Sequence, residues 1–280
     1  MVFPREGMSA QPHRFYKLSP GGNTTILIMD AQDLPVAEHP VLAARLMDTL
    51  HLGAEQVGFV SLEGPLPRLD MMGGEFCGNA ARCLGAVLAL EGRLGDEGLI
   101  CVSGVEASLG VRLRRENGMV CAAVQMPVRE QGSCLTDLAS GVALAELDGI
   151  THLLLDEDEH PCPSDPIRAS ARLRELYGLT QRDAVGCIWH SGDPSSPSIR
   201  PVVWVRGTGT THLETGCGSG TMALTQLLAK QQGGPVTVRV QQPSGQHIEA
   251  SVQYDPQSDR FSEGWIDGPV PVIAKGTTYL

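Results

Sequence analysis

An α/β protein built from two similar halves is the fold class this 280-residue sequence predicts, on three observations. Cys77 in EFCGNAARCLG and Cys217 in ETGCGSGTMAL stand 140 positions apart, half the chain, and each opens an apolar run. A Ser-Gly pair recurs at matching distance: Gly104 follows Cys77 by 27 positions, and Gly245 follows Cys217 by 28. The order thiol, helix, strand, Ser-Gly, strand, turn, strand therefore occurs twice, which reads as an internal duplication.

Taken in order, TTILIMD (24–30) has the apolar character of a strand after the turn PGGN. HPVLAARLMDTLHLG (39–53) has helical spacing closed by Gly53, and EQVGFVSLE (55–63) reads as the next strand. PLPRLDMMGG is expected to loop into Cys77. From Gly78 to about Glu91 the spacing of Ala80, Leu84, Val87 and Leu88 fits a helix, with Gly92 at its end. Strands at LICVSG, SLGVRLRR and VCAAVQMP follow, the last two joined by the turn ENG. From Cys217 the same order begins again. A helix runs from about Ser219 to Gly233-Gly234, then come VTVRVQQPSG, HIEASVQYD, a turn at PQSD and a last strand pair. DEDEHPCPSDP (156–166) and HSGDPSSPS (190–198) read as surface loops. The expected division is an N-terminal half, residues 1–128, completed by residues 269–280, and a C-terminal half, residues 129–268.

A net charge of −11 argues against nucleic acid or an anionic membrane as partner, and 4% aromatic residues leave little for base stacking. No apolar run approaches the roughly 20 residues of a membrane span, and MVFPREGMSAQPHRF lacks the pattern of a signal peptide. The expected location is cytoplasmic. Eight cysteines without a CxxC pair suggest neither a disulfide framework nor a zinc site, so no metal is expected. Three lysines, Lys17, Lys230 and Lys275, lie outside any pocket-forming context, which argues against a pyridoxal Schiff base. The expectation is an enzyme with no cofactor.

A cysteine at a helix start lies at the positive end of the helix dipole, beside N–H groups with no intrahelical partner. Both effects lower a thiol pKa from its free value of about 8.5. Gly78 and Asn79, like Gly218, Ser219 and Gly220, leave backbone N–H groups open to a small carboxylate. Two such helix starts facing each other would hold an amino acid between two thiols. One sulfur would take the α-proton and the other return one from the far side, a racemisation needing no cofactor. The same pair could also close into a Cys77–Cys217 disulfide under oxidation. A non-catalytic cleft for a small anion would need the N–H groups but not both thiols.

CGNAARC and CGSGTMA resemble the paired signatures of the diaminopimelate-epimerase-like isomerases. The resemblance implies two halves, each a β-barrel-like sheet around a central helix, with the active site between them and a homodimer as the common assembly. SPGGNTTILI, EQVGF, GGEFCGNA, VSG, VQMP, ETGCGSGT and QQPSG are similar, in order, to the cofactor-independent histidine racemases of opine-type metallophore biosynthesis. That branch implies D-histidine as product and a small amino acid as partner. Diaminopimelate epimerases carry Glu-Arg-Gly shortly before the second cysteine. Here Val205 stands in place of the glutamate, before Arg206-Gly207. Epimerisation of diaminopimelate, or isomerisation of another small acid, stays open as an alternative with Arg206 as the cation for a distal carboxylate. Gly74 replaces the asparagine of a Gly-Asn-Glu. By resemblance Glu55 faces the histidine imidazolium, Asn23 and Asn79 position substrate, and Ser219 helps hold its carboxylate. His152 falls where the epimerases carry Pro-His, or else is a core histidine. Glu75 and Arg82 read as structural.

Overall fold

The computed structural model describes residues 11–128, 134–207 and 209–279. Strand β1 (Pro12–Leu18) lies antiparallel to β2 (Thr25–Ile28), and β2 runs parallel to β3 (Gln56–Ser61) after a crossover through α1 (His39–Met47). β3 is antiparallel to β4 (Arg68–Met71), and β4 is parallel to β5 (Glu97–Val102) after a second crossover through α2 (Gly78–Leu90). The antiparallel strands β6 (Leu109–Glu116) and β7 (Met119–Gln125) complete the series.

The same pairings then recur. β8 (Leu135–Ala139) and β9 (Val142–Leu147) form a hairpin, and β9 is antiparallel to β10 (Ile150–Asp156). β10 is parallel to β11 (Ala184–Ser191) through α3 (Pro166–Leu176), and β11 is antiparallel to β12 (Ser198–Val205). After the short β13 (Thr210–Leu213), α4 (Gly218–Gln232) leads to β14 (Val236–Gln241), which meets β12 in parallel. β15 (His247–Asp255) and β16 (Arg260–Asp267) follow as antiparallel neighbours. The last strand, β17 (Val272–Tyr279), returns to pair antiparallel with β1, the place that β8 takes beside β9. A short antiparallel contact of β7 with β16, Val124 opposite Ile266, joins the two series.

Both crossovers through α2 and α4 are central. Every residue of α2 from Gly78 to Leu88 is buried, and α4 is buried over most of its first three turns. A helix buried all round is an interior element, not a surface one. One apolar core holds α2 with Leu27, Val60 and Val111, and α4 with Leu154, Ile188 and Val252. The outer helices have their own small cores: Ala43 and Leu46 of α1 pack on Ile26, Ile28 and Phe59, and α3 sits over Leu153 and Trp189.

The sequence expectations differ from this in several places, among them the expected loop 190–198, whose ends belong to β11 and β12. α1 stops at Met47 and not Gly53, because Asp48 turns extended and its carboxylate accepts from Leu50 N, a local bond that competes with the helix. The stretch expected only to loop into Cys77 contains β4, held between β3 and β5. Residues 157–165 do form a loop, but its last residue, Asp165, caps α3 by accepting from Arg168 N, with Pro166 at the first helical position. No helix among the described residues is long and apolar enough to cross a membrane.

Candidate active site

Cys77 and Cys217 are the N-caps of the two central helices. Each is extended (φ −134° and −121°), and each sulfur accepts the backbone N–H three residues on, Ala80 at 3.4 Å and Gly220 at 3.3 Å. A thiol here does what serine or aspartate does at ordinary helix starts. The N–H groups of Gly78, Asn79, Gly218 and Ser219 lie in the first turns, where no intrahelical carbonyl reaches them.

The two starts are brought together. Asn79 Nδ2 donates to the carbonyl of Gly216, immediately before the second thiol, at 3.1 Å. A Cβ at Gly78 would fall 2.7 Å from Ile266 Cδ1, and one at Gly218 would fall 2.8 Å from the same methyl group. The repeated Ser-Gly pairs brace the loops behind the thiols. Ser103 Oγ donates to the carbonyl of Glu75, two residues before Cys77, at 2.6 Å. Ser244 N donates to the carbonyl of Thr215, two residues before Cys217, at 3.0 Å.

Around Cys77 a hydrogen-bonded chain crosses to the other thiol's loop. Gln56 Nε2 donates to Thr25 Oγ1 at 2.8 Å and to Asn23 Oδ1. This fixes the amide so that Oε1 faces Cys77 Sγ at 3.1 Å and accepts its S–H. Asn23 Nδ2 donates to Glu55 Oε2 at 3.1 Å. Glu55 also accepts from Thr24 N and Oγ1 and from Thr215 N and Oγ1, the last at 2.7 Å. Around Cys217, Gln242 Oε1 accepts the Cys217 N–H at 2.9 Å while its Nε2 donates to Thr221 Oγ1 and the Val240 carbonyl. Thr221 Oγ1 in turn donates to the Cys217 carbonyl at 2.7 Å. Ser219 Oγ lies 3.6 Å from Cys217 Sγ.

The expected lowering of the thiol pKa values does not appear. Burial pushes Cys77 up to about 12, against the lowering by the Ala80 N–H, and the charges of Glu214 and Glu75 push the same way. Burial raises Cys217 well above its ordinary value too, with the Glu214 charge beside it adding to the rise. The helix ends favour thiolate, but removal from water outweighs them. Glu214, three residues before Cys217, is half-buried. Burial raises its carboxyl to about 7, against the lowering by the Cys217 thiol and with the Glu55 charge adding a smaller rise.

Of the residues singled out by sequence, Cys77, Cys217, Asn23, Glu55, Asn79 and the glycines at 78, 218 and 220 share one hydrogen-bonded neighbourhood with Ser219. Asn23, Glu55 and Asn79 spend their polar groups on protein partners: Asn79 also accepts from Arg82 Nη1 at 3.3 Å. Arg82, fully buried, donates onward to the carbonyls of Ala122 and Pro269, and Glu75 accepts from Gly73 N. His152 is fully buried on β10, its Nδ1 against Gly186 and neither nitrogen hydrogen-bonded to a described residue. Desolvation pushes it down to about 3, so it is a neutral group of the interior. Arg206, the cation required by the diaminopimelate alternative, is bonded to Asp183 at the surface. Gln56, Glu214, Thr215 and Gln242 were given no role by sequence, although each stands within a quoted motif, beside Glu55, before Cys217 or in QQPSG. Among the described residues no group of three or more His, Cys, Asp or Glu side chains could hold a metal ion.

This geometry has relatives. The chain covers 96% of itself and 100% of a phenazine biosynthesis protein of the PhzF family from Bacillus anthracis, at a TM-score of 0.68 and 14% identity. It matches a probable proline racemase from Agrobacterium radiobacter, solved with bound carbonate, at a TM-score of 0.65 and 12% identity over 96% of this chain and 93% of that one. These likenesses show a shared epimerase-type fold. Sequence relatives are nearer: two histidine racemases from strains of Fusobacterium nucleatum subsp. nucleatum are 30% and 32% identical over 95% of this chain and 96% and 97% of theirs. The family model described as the histidine racemase CntK N-terminal domain matches residues 13–279. By that match, across nearly its whole length, the chain belongs to the histidine racemase family.

Proposed function

We propose that this protein interconverts L- and D-histidine without a cofactor, Cys77 and Cys217 serving as the acid–base pair on opposite faces of Cα. The observation that carries the reading is the pair of thiols capping two buried helices whose first turns are tied by Asn79 to Gly216. The substrate carboxylate takes the first-turn N–H groups of Gly78, Asn79, Gly218 and Ser219, with the Ser219 hydroxyl beside them; the Gly220 N–H supports the Cys217 sulfur. Carboxylate binding there spreads the negative charge that develops as the Cα–H bond breaks. One thiolate takes that proton and the other thiol delivers its own from the opposite side, inverting the centre. Asn23, Asn79 and Glu55 hold the two thiol loops in register, and the charge of Glu55 favours the imidazolium end of the substrate.

The repeat of strand pairings supports a division into residues 1–128 with 269–280, and 129–268, with the site at their seam. A homodimer in the cytoplasm completes the reading. Light scattering checks the assembly, expected at twice the 29.8 kDa chain mass.

The test is exchange of the Cα proton for deuterium, followed by NMR in D2O with L-histidine, meso-diaminopimelate and L-proline offered separately. Wild type is expected to exchange and racemise histidine alone, and Cys77→Ser and Cys217→Ser to lose both reactions. No exchange with any amino acid would sink the racemase and favour a small-anion binder.

A further inference from the structure

Resting on the racemase reading above, we propose that Gln56 is a positioning residue of the reaction: its side-chain oxygen holds the proton on Cys77, so that Cys77 enters turnover as the acid and Cys217 as the base. The orientation of that oxygen is dictated from the far end of a hydrogen-bonded chain. Glu55 closes the chain with a carboxylate, which only accepts. Asn23 therefore turns Nδ2 to Glu55 Oε2, at 3.1 Å, and its Oδ1 the other way. Gln56 in turn points Nε2 at Asn23 Oδ1, and the same nitrogen donates to Thr25 Oγ1 at 2.8 Å. What is left for Cys77 is Gln56 Oε1, 3.1 Å from Sγ.

A sulfur facing an amide oxygen gains a hydrogen bond as S–H and is repelled as thiolate. The Ala80 N–H reaches the same sulfur at 3.4 Å and can serve either form, whereas Gln56 Oε1 serves the thiol alone. An amide that turned its nitrogen to the sulfur would favour thiolate, but Nε2 is committed to Asn23 and Thr25. Both of those residues are buried, so reversing the Gln56 amide would set two acceptors against each other away from water. The chain is anchored from the other thiol's loop as well. Thr215 N and Oγ1, two residues before Cys217, donate to the same Glu55 carboxylate at 3.4 and 2.7 Å.

In turnover the Cys77 S–H swings about Cβ–Sγ from Oε1 towards Cα. The Cα–H bond breaks as an S–H bond forms on Cys217, and the Cys77 S–H bond breaks as its proton reaches Cα from the opposite side. The negative charge thus moves from the Cys217 sulfur to the Cys77 sulfur, and the substrate loses one proton and gains one. The thiolate left at Cys77 faces Oε1, the less favourable of the two enzyme forms. It regains a proton from water as Cys217 gives one up, or by racemising a molecule of the opposite enantiomer.

Alkylation of the full chain by iodoacetamide, read at Cys77 by mass spectrometry across pH, tests this with wild type, Gln56→Met and Gln56→Glu. Near-ultraviolet circular dichroism checks the fold of each. Methionine has nearly the same length without a comparable acceptor, and glutamate keeps an oxygen in place. The ionisable groups coupled to Cys77 by charge are Glu75, Glu214 and Cys83, and all three stand unchanged in both variants. The alkylation midpoint of the Met variant is expected about half to one pH unit below wild type, the equivalent of one hydrogen bond lost from the thiol form. The Glu variant should lie at or above wild type. The alkaline limb of kcat/KM for L-histidine, where the acid thiol is lost, should move with the midpoint. A Met midpoint equal to or above wild type, or a Glu midpoint lowered as far as that of Met, means that Gln56 only fills space beside the thiol and overturns the assignment. Wild type that gives these midpoints yet leaves the histidine Cα proton unexchanged overturns the racemase reading instead.

Discussion

Asn79 Nδ2 donates to the carbonyl of Gly216 at 3.1 Å, a bond between residues 137 positions apart that fixes one thiol-bearing helix start against the loop of the other. The same side chain accepts from the buried Arg82, whose remaining donors reach the carbonyls of Ala122 and Pro269. Asn79 thus joins α2 to the Cys217 loop on one side and to the β7 and β16–β17 region on the other.

Asn79→Ala leaves the Gly216 carbonyl and one Arg82 N–H without partners. Each unmatched buried group costs about 1–3 kcal/mol, so urea midpoints should fall measurably. Catalysis should suffer more than stability, since a 1 Å displacement of a reacting group costs about 100-fold in rate. Asn79→Asp keeps the acceptor for Arg82 and loses only the donor to Gly216. Loss of kcat in both variants, with the larger stability loss in Ala, is the expected pattern. Unchanged kcat in both would mean that the tie does not align the thiols.

Gly78 and Gly218 both abut Ile266 Cδ1, so the spacing of the helix starts is set by one methyl group. Gly78→Ala places a carbon 2.7 Å from that methyl and 2.9 Å from Met126 Sδ. The gain in helix propensity, about 1 kcal/mol at most, is opposed by overpacking of about 1–3 kcal/mol. Ile266→Val removes the Cδ1 atom and should relieve part of the clash. Denaturant melts of wild type, both single variants and the double variant are expected to show favourable coupling of about 0.5 kcal/mol or more. Simple additivity would show that the contact is not what separates the two starts.

How much of this was legible in the sequence depends on whether the cause is local. The thiol, helix, strand and Ser-Gly order could be seen twice, and the structure gives the Ser-Gly pairs of that repeat their reason: Ser103 and Ser244 brace the loops two residues before each thiol. The strands β9 to β12 went unassigned because stretches such as THLLLD and AVGCIWHS are buried on both faces and show no alternation. The helix dipole at Cys77 can be inferred from position, but the desolvation that outweighs it cannot. Gln56, Glu214 and Gln242 acquire their parts only when distant loops meet, and no spacing along the chain announces that.

His152 makes the stability of the fold depend on acid in a way that can be isolated. Its imidazole is fully buried, lacks a hydrogen bond to any described residue, and titrates at about 3, against 6.5 for an unperturbed histidine. Between those values the unfolded chain binds a proton that the folded chain does not, so this residue's contribution is lost as pH falls from about 6.5 towards 3. One proton corresponds to about 1.4 kcal/mol per pH unit, so the full effect is on the order of 4–5 kcal/mol by the lower limit. His39, also lowered by burial, adds to the same trend, which is why a comparison of variants is needed. His152→Leu should leave a shallower slope of unfolding free energy against pH across this window, by close to one proton, whatever its effect on stability at neutral pH. Equal slopes for wild type and variant would mean that His152 reaches water, or a buried partner, when it is protonated.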